Sequence, residues 1–408
     1  MNIKIRVQLS VMMFLEFFVW GSWYVTMGIY LPNTLQSDGA EIAMAYSTQS
    51  WGAILAPFII GLIADRYFNA ERILGVLHLL GAVLMYLLYC TSDFALFFPY
   101  LLAYMIMYMS TLALVNSVSF NQMKDPAKEF SFVRVFGTIG WIAAGLLISY
   151  FNWDSQTGIS DGVLKNTFLM ASISSAVLGL FSFTLPKTPP RADRSKKVTV
   201  SDILGLDALS LLKDKNFLIF FLASVLICIP LAFYYQHAGQ FLGEIGVTNP
   251  AGKMTIGQIS EILFLLLLPY FFKRFGFKMT MLVAMLAWGL RYILFAYGNT
   301  GELSFLLLLG IALHGVCYDF FFVSGQIYTN SKAGAAYKSS AQGLITLATY
   351  GIGMLIGFWV AGKITDTYLS LEGIHEWETI WLYPAAFAFF VLILYAILFK
   401  NEKIAYKS

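Results

Sequence analysis

Two polar side chains, Gln258 and Glu261, stand at the head of a nearly unbroken apolar run that continues to Pro269. Three residues apart, they share one face of a helix. A carboxylate there has no inexpensive place in lipid, so it faces protein or a water-filled cavity. Glu261 can carry a coupled proton or, when ionised, grip sugar hydroxyls; the alternative is a structural ion pair with Arg134 or Arg291. The Gln258 amide both donates and accepts, which suits a base or a sugar, or a bond between helices.

Other residues repeat the pattern. Arg134 and Thr138 lie one helical turn apart, with Gly137 and Gly140 beside them. An arginine fork grips carboxylates or carbonyl oxygens, although an arginine near a span end also sets topology. Asp319 lies in Tyr318-Asp-Phe-Phe-Phe-Val-Ser324, five residues after His314. Either residue could relay protons, and Asp319 could instead lock helices by pairing with Arg291. Glu16, between Leu15 and Phe17, is a further intramembrane carboxylate and a candidate second protonation site. Trp20, Trp23, Tyr24 and Trp141 offer flat faces on which a nucleobase could stack, or they simply pack. Asn116 and Gln122 belong to the bundle interior or an inner gate.

The elements that must position these groups are membrane spans. Only 12% of the 408 residues are charged and 59% are hydrophobic, whereas a soluble domain carries about 25% charge. The chain is therefore all-α and integral to a membrane. Twelve spans are expected, at roughly 8–31, 46–64, 73–91, 94–118, 134–151, 166–185, 216–238, 256–272, 279–297, 303–326, 340–362 and 379–399. The apolar stretch behind Lys4 and Arg6 reads as a retained first helix rather than a cleaved leader.

Charge tests the count. Of the 26 Lys and Arg residues, 22 fall in alternate segments between spans, which places both termini in the cytoplasm. Residues 363–378, on the opposite side, are acidic. The segment 186–215 separates a six-span half, 1–185, from a second, 216–408. It opens Pro186-Lys-Thr-Pro-Pro190, then holds a basic cluster, and residues 202–213 read as a short amphipathic helix on the inner surface. Tight basic turns recur after the second span of each half, at Asp65-Arg66 and Lys273-Arg274, as in transporters built from repeats. These four residues are candidates for a conformational gate.

Several classes are disfavoured. There is no nucleotide-binding loop or haem motif, and no basic stripe for nucleic acid. Cys90, Cys228 and Cys317 are scattered in apolar spans. His78, His237, His314 and His375 show no metal spacing. Neither metal nor cofactor is expected. A receptor or scaffold would need larger loops, and an enzyme would need converging nucleophile or metal residues.

Asp65-Arg66 resembles the signature of the major facilitator superfamily, with Phe68 where glycine is usual. Over essentially its whole length the chain resembles the bacterial nucleoside:proton symporters of that superfamily. The resemblance rests on Trp20-Gly-Ser-Trp23, Arg134-Val-Phe-Gly-Thr138-Ile-Gly140, Leu204-Gly-Leu-Asp207-Ala, Gln258-Ile-Ser-Glu261, Trp288-Gly-Leu-Arg291-Tyr-Ile-Leu-Phe-Ala-Tyr-Gly298, Asp319-Phe-Phe and Ser340-Ala-Gln-Gly343. It implies twelve helices in two six-helix bundles, a central site, and nucleoside import driven by protons in a bacterial inner membrane, with the protein acting as a monomer.

The family's substrate-contacting arginine and threonine fall on Arg134 and Thr138, and its neighbouring phenylalanine on Trp141. Its glutamine and glutamate fall on Gln258 and Glu261. Its span-10 tyrosine falls on His314, followed by Tyr318 and Asp319. Where the family offers glutamine and asparagine on span 7, this chain has Ala232 and Tyr235, with Gln236 or Gln240 as substitutes. Glu16 replaces an uncharged residue. These departures keep a second substrate class open: another small polar metabolite, such as a sugar or a nucleoside analogue.

Overall fold

The computed structural model describes residues 2–59, 68–123, 126–189 and 206–402. Long apolar runs without water to hydrogen-bond their backbone must become helices, and the described chain is helical almost throughout. In its first half the helices are α1 (Ile3–Gly21), α2 (Tyr24–Thr34), α3 (Gly39–Ile59), α4 (Ala70–Cys90), α5 (Phe94–Gln122), α6 (Pro126–Tyr150), the short α7 (Gln156–Ser160) and α8 (Asn166–Ser182). The second half has α9 (Lys215–Glu244), α10 (Pro250–Tyr297), α11 (Ser304–Ala312), α12 (His314–Tyr318), α13 (Ser324–Thr346), α14 (Met354–Thr367) and α15 (Trp377–Leu398). Two π-helical stretches, Asp319–Val323 and Leu347–Gly353, interrupt it.

Among the described residues, nine helical stretches are long and apolar enough to cross a membrane. One of them, Pro250–Tyr297, holds two expected spans. Its helix is broken by Gly276 at φ 76°, ψ 173°, a conformation that only glycine adopts readily.

Several boundaries differ from expectation. The first span is broken at Ser22–Trp23, where the Ser22 hydroxyl donates to the Phe18 carbonyl at 2.6 Å. The second begins at Gly39 rather than near residue 46. The expected polar loop 327–339 is helical in backbone, within α13. The amphipathic helix expected over 202–213 is a 3₁₀ helix at Leu206–Lys213, and residues 202–205 lie outside the described residues. Asp65 and Arg66 also lie outside them. Lys273 and Arg274 are exposed on α10, just before the Gly276 turn.

The chain divides into two compact units. Unit 1 comprises 1–37, 44–203 and 248–255; unit 2 comprises 38–43, 204–247 and 256–408. Unit 1 takes in the start of α10, and unit 2 the start of α3. In unit 1, Leu9, Met12, Leu74, Leu114, Val118 and Leu178 form a buried cluster. Leu80, Val83, Leu146 and Leu180 point outward, as an apolar solvent allows.

Each exchanged segment begins a helix whose first N–H groups lack intrahelical partners. In unit 1, Asp154 Oδ2 accepts from Ala251 N at 2.9 Å and from the Ser149 hydroxyl at 2.7 Å. Ser149 Oγ in turn accepts from Gly252 N at 2.8 Å. In unit 2, Asp366 Oδ1 accepts from Gly39 N at 2.7 Å. Carboxylates suit these positions because helix N-termini carry partial positive charge.

Burial, opposed by these hydrogen bonds, holds the Asp154 carboxyl above its ordinary range. The folded protein then binds a proton there at a pH where the unfolded chain does not. Stability from this group therefore rises as pH falls through that window. Thermal unfolding of the purified protein against pH should show this slope, and Asp154→Asn should flatten it.

Candidate functional site

In unit 1, α1 and α6 approach closely through Gly140, where a Cβ would run into the Phe14 carbonyl. That approach brings α6's candidates beside the aromatic stripe of α1. The Arg134 guanidinium lies 4.1 Å from the centroid of the Phe17 ring, a cation–π contact. Thr138, one turn on, is half-buried, as is Trp141. Trp20 meets Trp141, Tyr108 and Tyr24 edge-on, at centroid distances of 5.5, 5.4 and 5.6 Å. Tyr24 donates to Gln49 Oε1. Trp20 Nε1 is buried with no hydrogen-bond partner among the described residues. Trp23 is wholly buried against Tyr104 and Phe168, so it packs and does not line an open face.

Glu16 is wholly buried. Its Oε2 lies 2.8 Å from His78 Nε2, and its Oε1 lies 2.6 Å from Thr111 Oγ1. Tyr108 donates to its backbone carbonyl at 2.8 Å. Glu16 stands out in the sequence, whereas His78 reads there only as a histidine without metal spacing. The available signal was an ionisable residue inside an apolar run, which is by itself a functional candidate.

In unit 2, the first part of α10 packs on α12. Gly315 N donates to Ser260 Oγ at 3.0 Å. This leaves Gln258 and Glu261, on either side of Ser260, half-buried. Gln258 Oε1 is buried and accepts no hydrogen bond from the described residues. His314 is buried and stacks on Tyr234 at 5.4 Å, and it also lies 5.6 Å from Tyr318. The Tyr318 hydroxyl is 2.6 Å from that of Tyr350. Asp319 is buried at the start of the first π-helical stretch. The extra residue in a π turn re-aims the side chains beyond it, and such turns occur often at functional sites.

Arg291 is wholly buried. Its guanidinium lies 3.5 Å from the centroid of the Tyr234 ring, and its Nε donates to the Gly310 carbonyl at 3.1 Å. On α9, Ala232 is wholly buried and Tyr235 half-buried. Of the two possible substitutes, Gln240 is engaged: His237 Nδ1 lies 3.0 Å from its Oε1, and its Nε2 donates to Glu244 at 2.9 Å. Gln236 is wholly buried, and neither of its amide atoms has a hydrogen-bond partner among the described residues.

Each unit thus presents half-buried polar side chains on otherwise apolar helices, backed by aromatic rings. The arrangement can bind a small polar and aromatic solute and hold protons.

The family model described as "Nucleoside H+ symporter" matches residues 1–404. The chain belongs to that family. YegT of Escherichia coli (strain K12) is 42% identical, over 98% of this chain and 95% of its own. The xanthosine permease of the same organism is 34% identical, over 99% of each chain. A crystal structure of the nucleoside transporter NupG, 32% identical, superposes with a TM-score of 0.89 over 97% of this chain and 100% of that one. This symporter family consists of membrane transporters, and the fold is that of a multi-span member of the major facilitator superfamily.

The α1–α6 approach is open to a direct test. Gly140→Leu should cost about 1–3 kcal/mol, read as a lowered melting temperature and lost nucleoside binding. Gly343→Ala, where an added Cβ meets nothing within 4 Å, should be neutral.

Proposed function

We propose that this protein imports nucleosides together with protons across a bacterial inner membrane by alternating access. Two bundles, 1–185 and 216–408, rock about a site near the membrane midplane. Both termini are cytoplasmic, and the functional unit is a monomer. The family match over residues 1–404 carries this reading. Relatives named for nucleoside or xanthosine transport support the substrate class, and the distribution of Lys and Arg supports the orientation.

Arg134, Thr138 and Trp141 from one unit, and Tyr235, Gln258, Glu261, His314 and Tyr318 from the other, are the proposed substrate contacts. Glu261, Asp319 and Glu16 are the proposed proton-coupling residues, because proton and nucleoside each bias the same two-state equilibrium. Asp65, Arg66, Lys273 and Arg274 are the proposed gate.

A second reading is favoured by one observation. Ala232 is buried and apolar, and the resemblance puts it where the family offers an amide. Loss of that contact fits a different small polar metabolite, such as a sugar or a nucleoside analogue.

Uptake of radiolabelled uridine and adenosine into proteoliposomes, with and without an inward proton gradient, separates the two. The symporter reading expects gradient-driven accumulation that Glu261→Gln abolishes. Folded protein that takes up neither nucleoside would leave the second reading.

A further inference from the structure

Glu16 and His78 sit 62 positions apart in sequence and share one contact, 2.8 Å between Oε2 and Nε2. The surrounding hydrogen bonds constrain where the protons are. The Ser175 hydroxyl lies 2.9 Å from the His78 carbonyl and can only donate to it. Its single proton is then used, so its oxygen must accept from His78 Nδ1, 3.0 Å away. Nδ1 therefore bears hydrogen. The contact between Nε2 and Oε2 needs one proton more, because two lone pairs do not hold at that distance. With the single Thr111 proton given to Glu16 Oε1 rather than to the Tyr108 carbonyl 2.7 Å away, the pair is electroneutral whether the shared proton rides on nitrogen or oxygen.

We infer that Glu16 and His78 form a shared proton-binding site in unit 1, separate from Glu261 and Asp319, and that the observed geometry is its loaded state. Unloading gives one proton to water and takes the pair from net charge zero to minus one. The carboxylate and the bare Nε2 then repel, and α1 and α4 lose the bond that joins them. Both side chains are buried, at 0% and 2% exposure, so this charge change has no water to soften it.

Among the described residues, few groups face the pair. From α5 come Thr111, on Glu16 Oε1, together with Tyr108 and Tyr104, both of which interact electrostatically with Glu16. From α8 comes Ser175. Arg134 of α6 acts electrostatically on Tyr108. Tyr108 links the pair to the candidate site: its hydroxyl holds the Glu16 carbonyl while its ring meets Trp20, which meets Trp141. A proton gained or lost at Glu16 is thus felt two side chains away from a proposed substrate contact.

The inference rests on the proton-driven reading for its purpose, but not for its chemistry, and two measurements keep the two apart. The first needs no nucleoside. Ring-¹⁵N histidine spectra of the purified protein, with His78 assigned through His78→Gln, should show Nδ1 protonated. The Nε2 signal should move in one pH-dependent step, as it loses either its own proton or the hydrogen bond from Glu16, and that step should disappear in Glu16→Gln. A His78 ring that keeps one signal across the pH range in which the protein stays folded would overturn the site, as would a titration indifferent to Glu16→Gln.

The second is transport. Glu16→Gln and His78→Gln should lose gradient-driven accumulation and keep nucleoside exchange without a gradient, which a purely structural pair would not separate. Variants that retain the wild-type number of protons per nucleoside would also overturn it. Wild-type protein that moves no nucleoside defeats the functional reading instead, and the histidine titration then decides the pair alone.

Discussion

A charge carried into an apolar interior has to be answered from within the same bundle, and each unit is arranged around that demand. Removing one partner of a buried ion pair costs about 3–5 kcal/mol, comparable to a large share of a protein's net stability. Glu16 is answered by a histidine and a threonine, Arg134 by the face of Phe17, and Arg291 by the face of Tyr234 and a backbone carbonyl. Both arginines thus lie against aromatic rings. An aromatic face holds a guanidinium without committing its nitrogens, and Nη1 and Nη2 of Arg291 have no hydrogen-bond partner among the described residues. Aromatic residues make up 17% of the chain, and here some of them serve as partners for charge as well as filling.

Much of this was legible in the sequence, because the signals are local. Apolar run length marks a span, and an ionisable residue inside such a run marks a place where something must compensate. That logic picked out Glu16, Glu261, Arg291 and Asp319, all of them wholly or partly buried. It could not supply partners. His78 meets Glu16 only because α1 and α4 both pack on α5 and α8, a tertiary fact with no trace in spacing. Helix ends were read less well for a different reason. The stretch after Gln326 is polar enough to leave the membrane, so a loop was expected. It is also rich in alanine and lysine, which favour helix, and polarity ends a crossing without ending a helix. At Ser22–Trp23 the break falls where the Ser22 hydroxyl bonds back to the Phe18 carbonyl, a local competition that apolar run length does not show.

Those π-helical stretches pair with one another. Tyr318, just before the first, hydrogen-bonds Tyr350 within the second, and Phe322 stacks on the same ring at 5.7 Å. Two segments that have each departed from regular winding are held face to face beside Asp319. Both departures from regular winding therefore lie in the part of unit 2 that holds Asp319, a proposed proton carrier.

The burial of Glu16 against His78 also has an evolutionary meaning. A buried acid without its base, or a base without its acid, is an unanswered charge or an unfilled hydrogen bond in the middle of a bundle. Neither position can drift by itself without passing through that state. A lineage therefore has only two comfortable options, both residues or neither. The pair is a single heritable character spread over two helices, and a chain that holds it has a barrier against giving it up by small steps.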